Sequence, residues 1–337
     1  MFTPMARFIR KIGQLTLSAS LLACCACQKS SSDEIADSAA LTPVQLQLDW
    51  FPEPAHGGFY QALTKGYYAE AGLAVEILPG GPGGRPTQKV ASGQVPFSMG
   101  RSDDMMLAAA QGLPVLIVAA LMQHDPQALL LHQDHPVNTF ADLDGQAVMA
   151  YPGSAWIPYL QKRFEIEFDL MPMSFGLARF IADPNLIQAC FVTDEPFRLR
   201  QQGVAVKTLL LADSGYDPYR VIVAHRPFAD AHPEIVLAFV AASIRGWQDY
   251  IRGNPSSAHG RIAQENDHMT ADQMVFSHSE MIIQRFVEGD PAVGESIGAL
   301  DPRRLKSHAQ LLYELGVLED PLPIEAYADL TFLPDTN

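Results

Sequence analysis

After about residue 44, apolar residues either alternate with polar ones or recur three and four positions apart. The run VQLQLDW has the period of two that is typical of a β-strand. GGFYQALTKGYYAEAG has helical spacing and ends at Gly72, and LAVEILPGG is again strand-like. A strand, a helix and a strand in this order predict a βαβ unit, and therefore the α/β fold class.

The same alternation continues along the chain. TQKVASGQ and DDMMLAAAQG predict helices, VPFSMG predicts a strand, and PVLIVAALM is a continuous apolar run of the kind buried in a parallel sheet. A second α/β set follows in QAVMAY, SAWIPYLQKRFEI, MPMSFG, ARFIADPN, QACFVTDEPF and VKTLLLAD, and YRVIVAH then returns as a strand. The rest is mostly helical, because PEIVLAFVAASIRGWQDYIRG and ADQMVFSHSEMIIQRFVEG have apolar positions three and four apart.

The N-terminal residues have the layout of an export signal. Basic residues from Arg7 to Lys11 precede an apolar run that is too short to span a bilayer, which predicts a signal peptide over residues 1–23. The letters LLA before Cys24 resemble a bacterial lipobox, in which the cysteine is acylated and becomes the new N-terminus. Cys24 is therefore the expected lipid anchor. Acylation of Cys27, or a cleaved signal with incidental cysteines, are the alternatives.

The charge of the chain limits its partners. The 23 basic and 38 acidic residues give a formal charge of −15, and loss of residues 1–23 would remove three basic residues and leave −18. An acidic surface repels phosphate backbones and anionic headgroups, so we expect no nucleic-acid binding and attachment to a membrane only through lipid. Residues 24–43 are mostly polar and predict a tether. Cys190 is the one cysteine beyond the signal region, which argues against a disulfide or a cysteine-based metal site.

Two α/β sets carried on a tether suggest a ligand trap, and both sets resemble one family. The runs LDWFPEPAHGGFYQALTKGYYAEAGLAVEI, ASGQVPFSMGRSDDMMLAAAQGLPVLIVAAL and PGSAWIPYL resemble the substrate-binding proteins of bacterial ABC importers that are related to the alkanesulfonate-binding and thiamine-pyrimidine-precursor-binding proteins. The resemblance covers about residues 44–224. The order of Trp50, Phe51, Pro52 and His56 favours the pyrimidine-precursor branch.

The resemblance implies a two-lobe periplasmic-binding-protein fold of type II, with two crossover strands near ALLLHQ and YRVIVAH and a helical C-terminal part. Lobe 1 would comprise residues 44–130 and 224–337, and lobe 2 residues 131–223. The ligand would lie between the lobes, where strand ends and helix N-termini converge, and the lobes would close on it. The family also implies an ABC permease and ATPase as partners and a periplasmic, lipid-anchored location.

The segment LDWFPEPAHGGFY is the first candidate contact with a ligand. A flat heteroaromatic compound would stack on Trp50, beside Phe51, while His56 forms one hydrogen bond and Gly57 begins the first helix. In the alternative, Trp50 fills the core and His56 only caps the helix.

A second candidate cluster lies in SMGRSDDMML, between a predicted strand and a predicted helix. The loop of Gly100, Arg101 and Ser102 would contact an anion or a ring oxygen of the ligand, and Ser102 could be the helix N-cap. An ion pair of Arg101 with Asp103 or Asp104 is the equal alternative.

The remaining candidates belong to the second lobe. Glu195 would accept two hydrogen bonds from the ring N–H and the amine of an aminopyrimidine, or would pair with Arg198. A glycine and a serine at the start of a predicted helix would contact the ligand, or would only cap that helix. Two tyrosines would provide the aromatic face opposite Trp50, or would only have a packing role. These candidates are Gly153, Ser154, Tyr216 and Tyr219.

One branch of the family is an enzyme, the eukaryotic thiamine-pyrimidine synthase, which uses a histidine, a lysine-bound pyridoxal phosphate and a cysteine-rich iron motif. In an alignment on residues 92–95, Gly100 takes the lysine position and Asp104 the histidine position, and residues 217–221 contain no cysteine. We therefore expect a binding protein without catalytic residues, cofactor or metal. The alternatives are an exported sensor or enzyme on the same fold, or a ligand such as riboflavin or an alkanesulfonate.

Overall fold

The computed structural model describes residues 40–174 and 176–334. The predicted signal peptide, the anchor Cys24 and most of the predicted tether lie outside the described residues. The strands are β1 Thr42–Gln47, β2 Leu73–Leu78, β3 Phe97–Arg101, β4 Val115–Met122, β5 Gln127–His132, β6 Ala147–Ala150, β7 Asp169–Pro172, β8 Ile187–Phe191, β9 Val206–Leu210 and β10 Arg220–His225. The helices are α1 Gly57–Thr64, α2 Tyr67–Glu70, α3 Pro86–Ala91, α4 Ser102–Ala110, α5 Trp156–Phe164, α6 Ala178–Ala182, α7 Glu195–Gln201, α8 Arg226–Ala231, α9 Pro233–Arg252, α10 Ser256–Glu265, α11 Ala271–Ile283 and α12 Pro302–Glu314.

The strands form two five-stranded sheets, in the orders β2-β1-β3-β10-β4 and β7-β6-β8-β5-β9. The chain passes from the first sheet to the second between Met122 and Gln127, and returns between Leu210 and Arg220. The strand after each passage, β5 or β10, is antiparallel to both of its neighbours, whereas β1 and β6 are parallel to theirs. The α/β class is therefore confirmed, while the exact boundaries of two lobes stay a prediction.

Strand β4 corrects one expectation. All eight of its residues are buried, as its apolar run predicts, but the expectation of a parallel sheet around it is wrong. It is the last strand of its sheet and pairs antiparallel with β10. The C-terminal part of the chain covers its other side, because Ile117 N donates to Tyr327 O at 2.7 Å and Ala120 N to Gly298 O at 3.1 Å. This cover explains how an edge strand is fully buried.

The first predicted helix is also divided in two. Gly66 adopts φ +78°, a left-handed conformation that interrupts the helix and separates α1 from α2. Helix α1 then lies against α9 at very short range, since a Cβ on Gly58 would be 2.1 Å from the ring of Trp247. This packing fixes the loop that follows β1 against the C-terminal helices.

Within residues 40–174 and 176–334, no helix is both long enough and apolar enough to cross a membrane.

Candidate ligand-binding site

A cavity of about 200 Å³ has walls from both sheets. Most of its lining residues follow β1, β6 or β7, lie on β8 or at the end of β4, or begin β5, α7 or β10, so the cavity lies where strands end and the chain changes sheets. Ligand sites of open α/β sheets are found at such strand ends. The aromatic lining residues are Trp50, Tyr151 and Phe191, the charged ones are Asp49, Glu53, Asp194, Glu195, Arg198 and Arg220, and the carboxamides are Gln127 and Gln188.

A larger cleft of about 560 Å³ lies beside β9 and α11. Its walls include Arg200, Lys207 and Glu280. None of the site residues predicted from the sequence is among the described residues that line it. The smaller cavity between the two sheets is therefore the candidate site.

The loop after β1 brings one of its four predicted residues to the cavity. Trp50 lines it and is half-buried, with its ring edge-to-face with Phe51 at 5.4 Å between centroids. Phe51 itself is 47% exposed, and His56 is fully buried beside Asp49. Gly57 packs on α9, where a Cβ would be 2.1 Å from the ring of Tyr250. Among the described residues, the lining therefore includes Trp50 and not its three predicted companions.

Asp49 is the centre of an ion-pair cluster at the cavity wall. Its Oδ1 lies 2.8 Å from His56 Nε2, and its Oδ2 accepts a hydrogen bond from Arg220. Burial would raise the pKa of the Asp49 carboxyl, but Arg220 and His56 outweigh it and hold that pKa below its ordinary value. The Arg220 guanidinium also lies over the ring of Phe191, at 5.6 Å. Asp49 is therefore ionised and already paired, which makes it a fixed part of the wall.

Glu195 is in the opposite electrostatic situation. It begins α7, and its Oε2 accepts a hydrogen bond from Phe191 N at 2.8 Å. Burial and the neighbouring Asp194 raise the pKa of Glu195 to about 8 despite that bond. Burial and the carboxylates of Asp194 and Asp49 likewise raise the pKa of Glu53 well above its usual value. At neutral pH, Glu195 therefore holds a proton and can act as a hydrogen-bond donor as well as an acceptor.

Arg101 lies behind the cavity wall in an ion-pair cluster. Its Nη2 and Nε lie 2.7 and 3.1 Å from the two oxygens of Asp103, its Nε is 3.3 Å from Asp125, and its Nη1 donates to Gln127 Oε1. The side chain is almost fully buried. This geometry agrees with the alternative of an ion pair to Asp103. Arg101 itself does not line the cavity, but it bonds to Gln127, which does.

The two neighbours of Arg101 have structural contacts. A Cβ on Gly100 would be 3.3 Å from Val223, so the glycine allows close packing of β3 on β10. The N-cap of α4 is Arg101, which corrects the expectation that Ser102 has this role. The Ser102 hydroxyl instead accepts a hydrogen bond from Tyr219 N at 3.1 Å, and it ties the returning chain to β3.

Four further predicted residues do not line the cavity, although a neighbour of two of them, Tyr151, does. These residues are Gly153, Ser154, Tyr216 and Tyr219. Gly153 is exposed with φ +88°, and Ser154 is half-buried two residues before α5 begins. Tyr151, from the same loop, lines the cavity. Tyr216 is buried and donates to Asp103 Oδ2 at 2.7 Å, and Tyr219 lies 4.0 Å from the Arg304 guanidinium. The aromatic faces at the site therefore come from Trp50, Tyr151 and Phe191.

Several lining residues were missed by the sequence analysis. Asp49 and Glu53 lie within the segment that was examined for its aromatic residues, and Arg220 is the charged residue at the start of an apolar strand. Gln188 is a polar residue inside the apolar run of β8, which is a readable signal. Among the described residues, no group of three or more histidines, cysteines, aspartates or glutamates is placed to hold a metal ion.

The two sheets, their strand orders and the cavity define a periplasmic-binding-protein fold. The same fold is found in the periplasmic aliphatic sulphonate binding protein SsuA from Escherichia coli, with a TM-score of 0.61 and 14% identity over 88% of this chain and 94% of that chain. The chain belongs to the NMT1/THI5-like family, whose sequence profile matches residues 53–258. The predicted fold and family are therefore confirmed.

Curated relatives include binding proteins and enzymes. The formylaminopyrimidine-binding protein of Halalkalibacterium halodurans is 29% identical over 76% of this chain and 79% of its own length. The riboflavin-binding protein RibY of Chloroflexus aurantiacus is 26% identical over 93% of this chain and 95% of its own. A 4-amino-5-hydroxymethyl-2-methylpyrimidine phosphate synthase of Legionella pneumophila is 28% identical, but over only 34% of this chain and 36% of its own length.

Proposed function

We propose that the protein is the solute-binding component of an ABC importer, and that its ligand is a small amino-substituted heteroaromatic compound of the thiamine-pyrimidine-precursor type. One observation carries the ligand proposal: the aromatic ring of Trp50 and the buried carboxyl of Glu195, whose pKa burial and Asp194 raise to about 8, line the same cavity. A flat ring stacks on Trp50. The N–C–N edge of an aminopyrimidine accepts a hydrogen bond from the Glu195 carboxyl through its ring nitrogen and donates one to it through its amine. The match to a formylaminopyrimidine-binding protein supports the same ligand class.

The size of the cavity favours a single ring over a flavin. Its volume of about 200 Å³ is below the range of roughly 300–1,000 Å³ that is common for pockets of drug-sized ligands. A three-ring flavin with a ribityl chain needs more room than a substituted pyrimidine. Riboflavin is nevertheless the second candidate, because the match to the riboflavin-binding protein extends over 93% of the chain.

The charge of the cavity argues against a sulfonate or another anion. Asp49 pairs with Arg220, and Asp194 lies 3.4 Å from Arg198, so both arginines have a carboxylate partner. Glu53 and Glu195 then remain as additional acidic groups on the wall. Their raised pKa values keep both carboxyls protonated at neutral pH, so the argument against an anion is that each arginine on the described wall already has a carboxylate partner; repulsion is added only at higher pH, when Glu195 ionises.

The partners and the location belong to the same proposal. The protein would deliver its ligand to a permease and ATPase and act in the periplasm, without catalysing a reaction. Acylation at Cys24 stays a prediction from the sequence, and incorporation of a palmitate analogue that Cys24→Ala abolishes and Cys27→Ala does not would test it.

A thermal-shift screen tests the ligand class. The compounds are 4-amino-5-hydroxymethyl-2-methylpyrimidine, formylaminopyrimidine, riboflavin and an alkanesulfonate, each added to the purified protein. We expect the two aminopyrimidines to raise the melting temperature, because a ligand that binds only the folded state stabilises it by RT ln(1 + [L]/Kd). Stabilisation by riboflavin or the sulfonate, with no effect of either pyrimidine, would reject the proposed ligand.

Titration of Glu195 predicts how the affinity for an aminopyrimidine depends on pH. Because Oε2 accepts from Phe191 N, the proton of the free protein is available on Oε1, and one shared proton links the carboxyl and the ring nitrogen in the complex. The raised pKa keeps that proton in place below about pH 8. At higher pH the free protein has lost it, so binding must take one up and the affinity falls about tenfold per pH unit.

The control for this prediction is Glu195→Gln, measured by titration calorimetry between pH 7 and 10. Glutamine keeps one donor and one acceptor but does not titrate, so the decline above pH 8 should disappear in the variant. An unchanged slope would assign the titration to another group, such as Glu53.

A further inference from the structure

Gln188 is a buried polar residue in an otherwise apolar strand. It lies on β8 with Leu130 and Met149 as its register partners on the two neighbouring strands, and only 3% of its surface is exposed. It lines the cavity, and its Oε1 has no hydrogen-bond partner among the described residues. Leaving a buried acceptor unpaired is unfavourable, so such an atom in a native protein requires an explanation.

The acceptor of the other carboxamide on the wall already has a partner. Gln127 Oε1 accepts a hydrogen bond from Arg101, which Asp103 and Asp125 hold in place. Other buried polar atoms that lack a partner in the described part of the chain, such as Nε1 of Trp156 and of Trp247, lie outside the cavity lining. Gln188 therefore combines burial, an unpaired acceptor and a position on the cavity wall.

We propose that Gln188 is a specificity-determining residue whose Oε1 accepts a hydrogen bond from the exocyclic amine of the ligand. A carbonyl oxygen in this position recognises an N–H donor and rejects a ligand that presents hydrogen, methyl or a carbonyl there, because the acceptor then stays unpaired. The ligand class is thus narrowed to single-ring heteroaromatics with a primary amine. This inference rests on the proposed function for the identity of the ligand, but the unpaired Oε1 of Gln188 is a property of the described protein itself.

The first test is a cycle of two proteins and two ligands, measured by titration calorimetry on the purified protein. Gln188→Met keeps the length of the side chain and removes the acceptor. We expect it to weaken binding of 4-amino-5-hydroxymethyl-2-methylpyrimidine roughly 10- to 100-fold. Binding of the analogue with hydrogen in place of the amine should change less than about twofold, because that ligand never used the acceptor. Equal losses for the two ligands, or no loss for either, overturn the inference.

The second test needs no ligand. Because Oε1 of Gln188 has no hydrogen-bond partner among the described residues, Gln188→Met should leave the melting temperature unchanged or raise it. Gln127→Met is the matched control and should lower it, because that change takes a partner from buried Arg101. A clear drop for Gln188→Met, or failure of both Gln188→Met and Gln188→Leu to fold, means that Gln188 has a structural role and overturns the inference. If wild-type protein binds neither pyrimidine, the proposed function fails, and the melting temperatures alone decide the role of Gln188.

Discussion

Replacing Arg101 with methionine should remove about 3–5 kcal/mol from the free energy of unfolding, the range for breaking a buried ion pair from one side. Arg101 pairs with Asp103 and Asp125, and both carboxylates are at least 98% buried. Without the guanidinium they repel each other in a medium that solvates them poorly. Urea denaturation at pH 7 gives the change directly.

Acidification gives a second check on the same variant. Burial would raise the pKa of Asp103, but Arg101 and its other partners keep that pKa lowered, so the pair stabilises the wild-type fold above the ordinary carboxyl pKa and loses this contribution as the pH falls. In Arg101→Met the carboxyls take up protons more easily. The difference in stability between the two proteins should therefore shrink toward acidic pH.

Arg303 provides a matched control, since it forms the same kind of two-oxygen pair with Asp301, two residues away in sequence. Its side chain is 87% exposed, and Arg303→Met should cost no more than about 1 kcal/mol. Equal losses for the two variants would mean that burial does not determine the strength of the Arg101 pair.

Replacing Trp50 with alanine should weaken ligand binding about 5- to 150-fold, which corresponds to roughly 1–3 kcal/mol for a ring stacked on an aromatic side chain. Trp50 is half-buried at the cavity wall, so folding should suffer less than binding. Calorimetric titration and thermal melting on the same preparation separate the two effects.

Trp247 is the control, because it is fully buried between α9 and α1 and lies outside the cavity lining. Trp247→Ala should lose about 3–5 kcal/mol of stability. If Trp50→Ala behaves in the same way and the folded fraction binds with normal affinity, Trp50 is a packing residue and the stacking prediction is wrong.

The order of helices and strands could be predicted because each element leaves its own period in the sequence. The prediction erred where the outcome depends on distant residues. The run PVLIVAALM indicates burial, but residues near Gly298 and Tyr327 determine that β4 is an edge strand with a cover. Similarly, the break at Gly66 is a backbone conformation, which hydrophobic periodicity does not detect.

The sequence predicts which kinds of residue lie at the candidate site better than it predicts which hydrogen bonds and ion pairs they form. Trp50 and Glu195 follow strands, so they were placed at strand ends, and both line the cavity. Tyr216 was expected beside the ligand because it is aromatic, yet it bonds to Asp103, 113 positions away. Asp49 likewise finds Arg220 at a separation of 171. Such long-range pairs decide which polar groups remain available to a ligand, and one sequence does not contain them.

The cover on β4 also has a consequence for how the protein is made. An uncovered edge strand of eight apolar residues offers open backbone groups to any other extended chain, and is a template for aggregation. The residues that close this edge, near 298 and 327, leave the ribosome long after β4 does. A first sheet that formed before these residues were made would therefore expose an apolar edge, so we expect stable folding of this sheet to wait for the segment that covers β4.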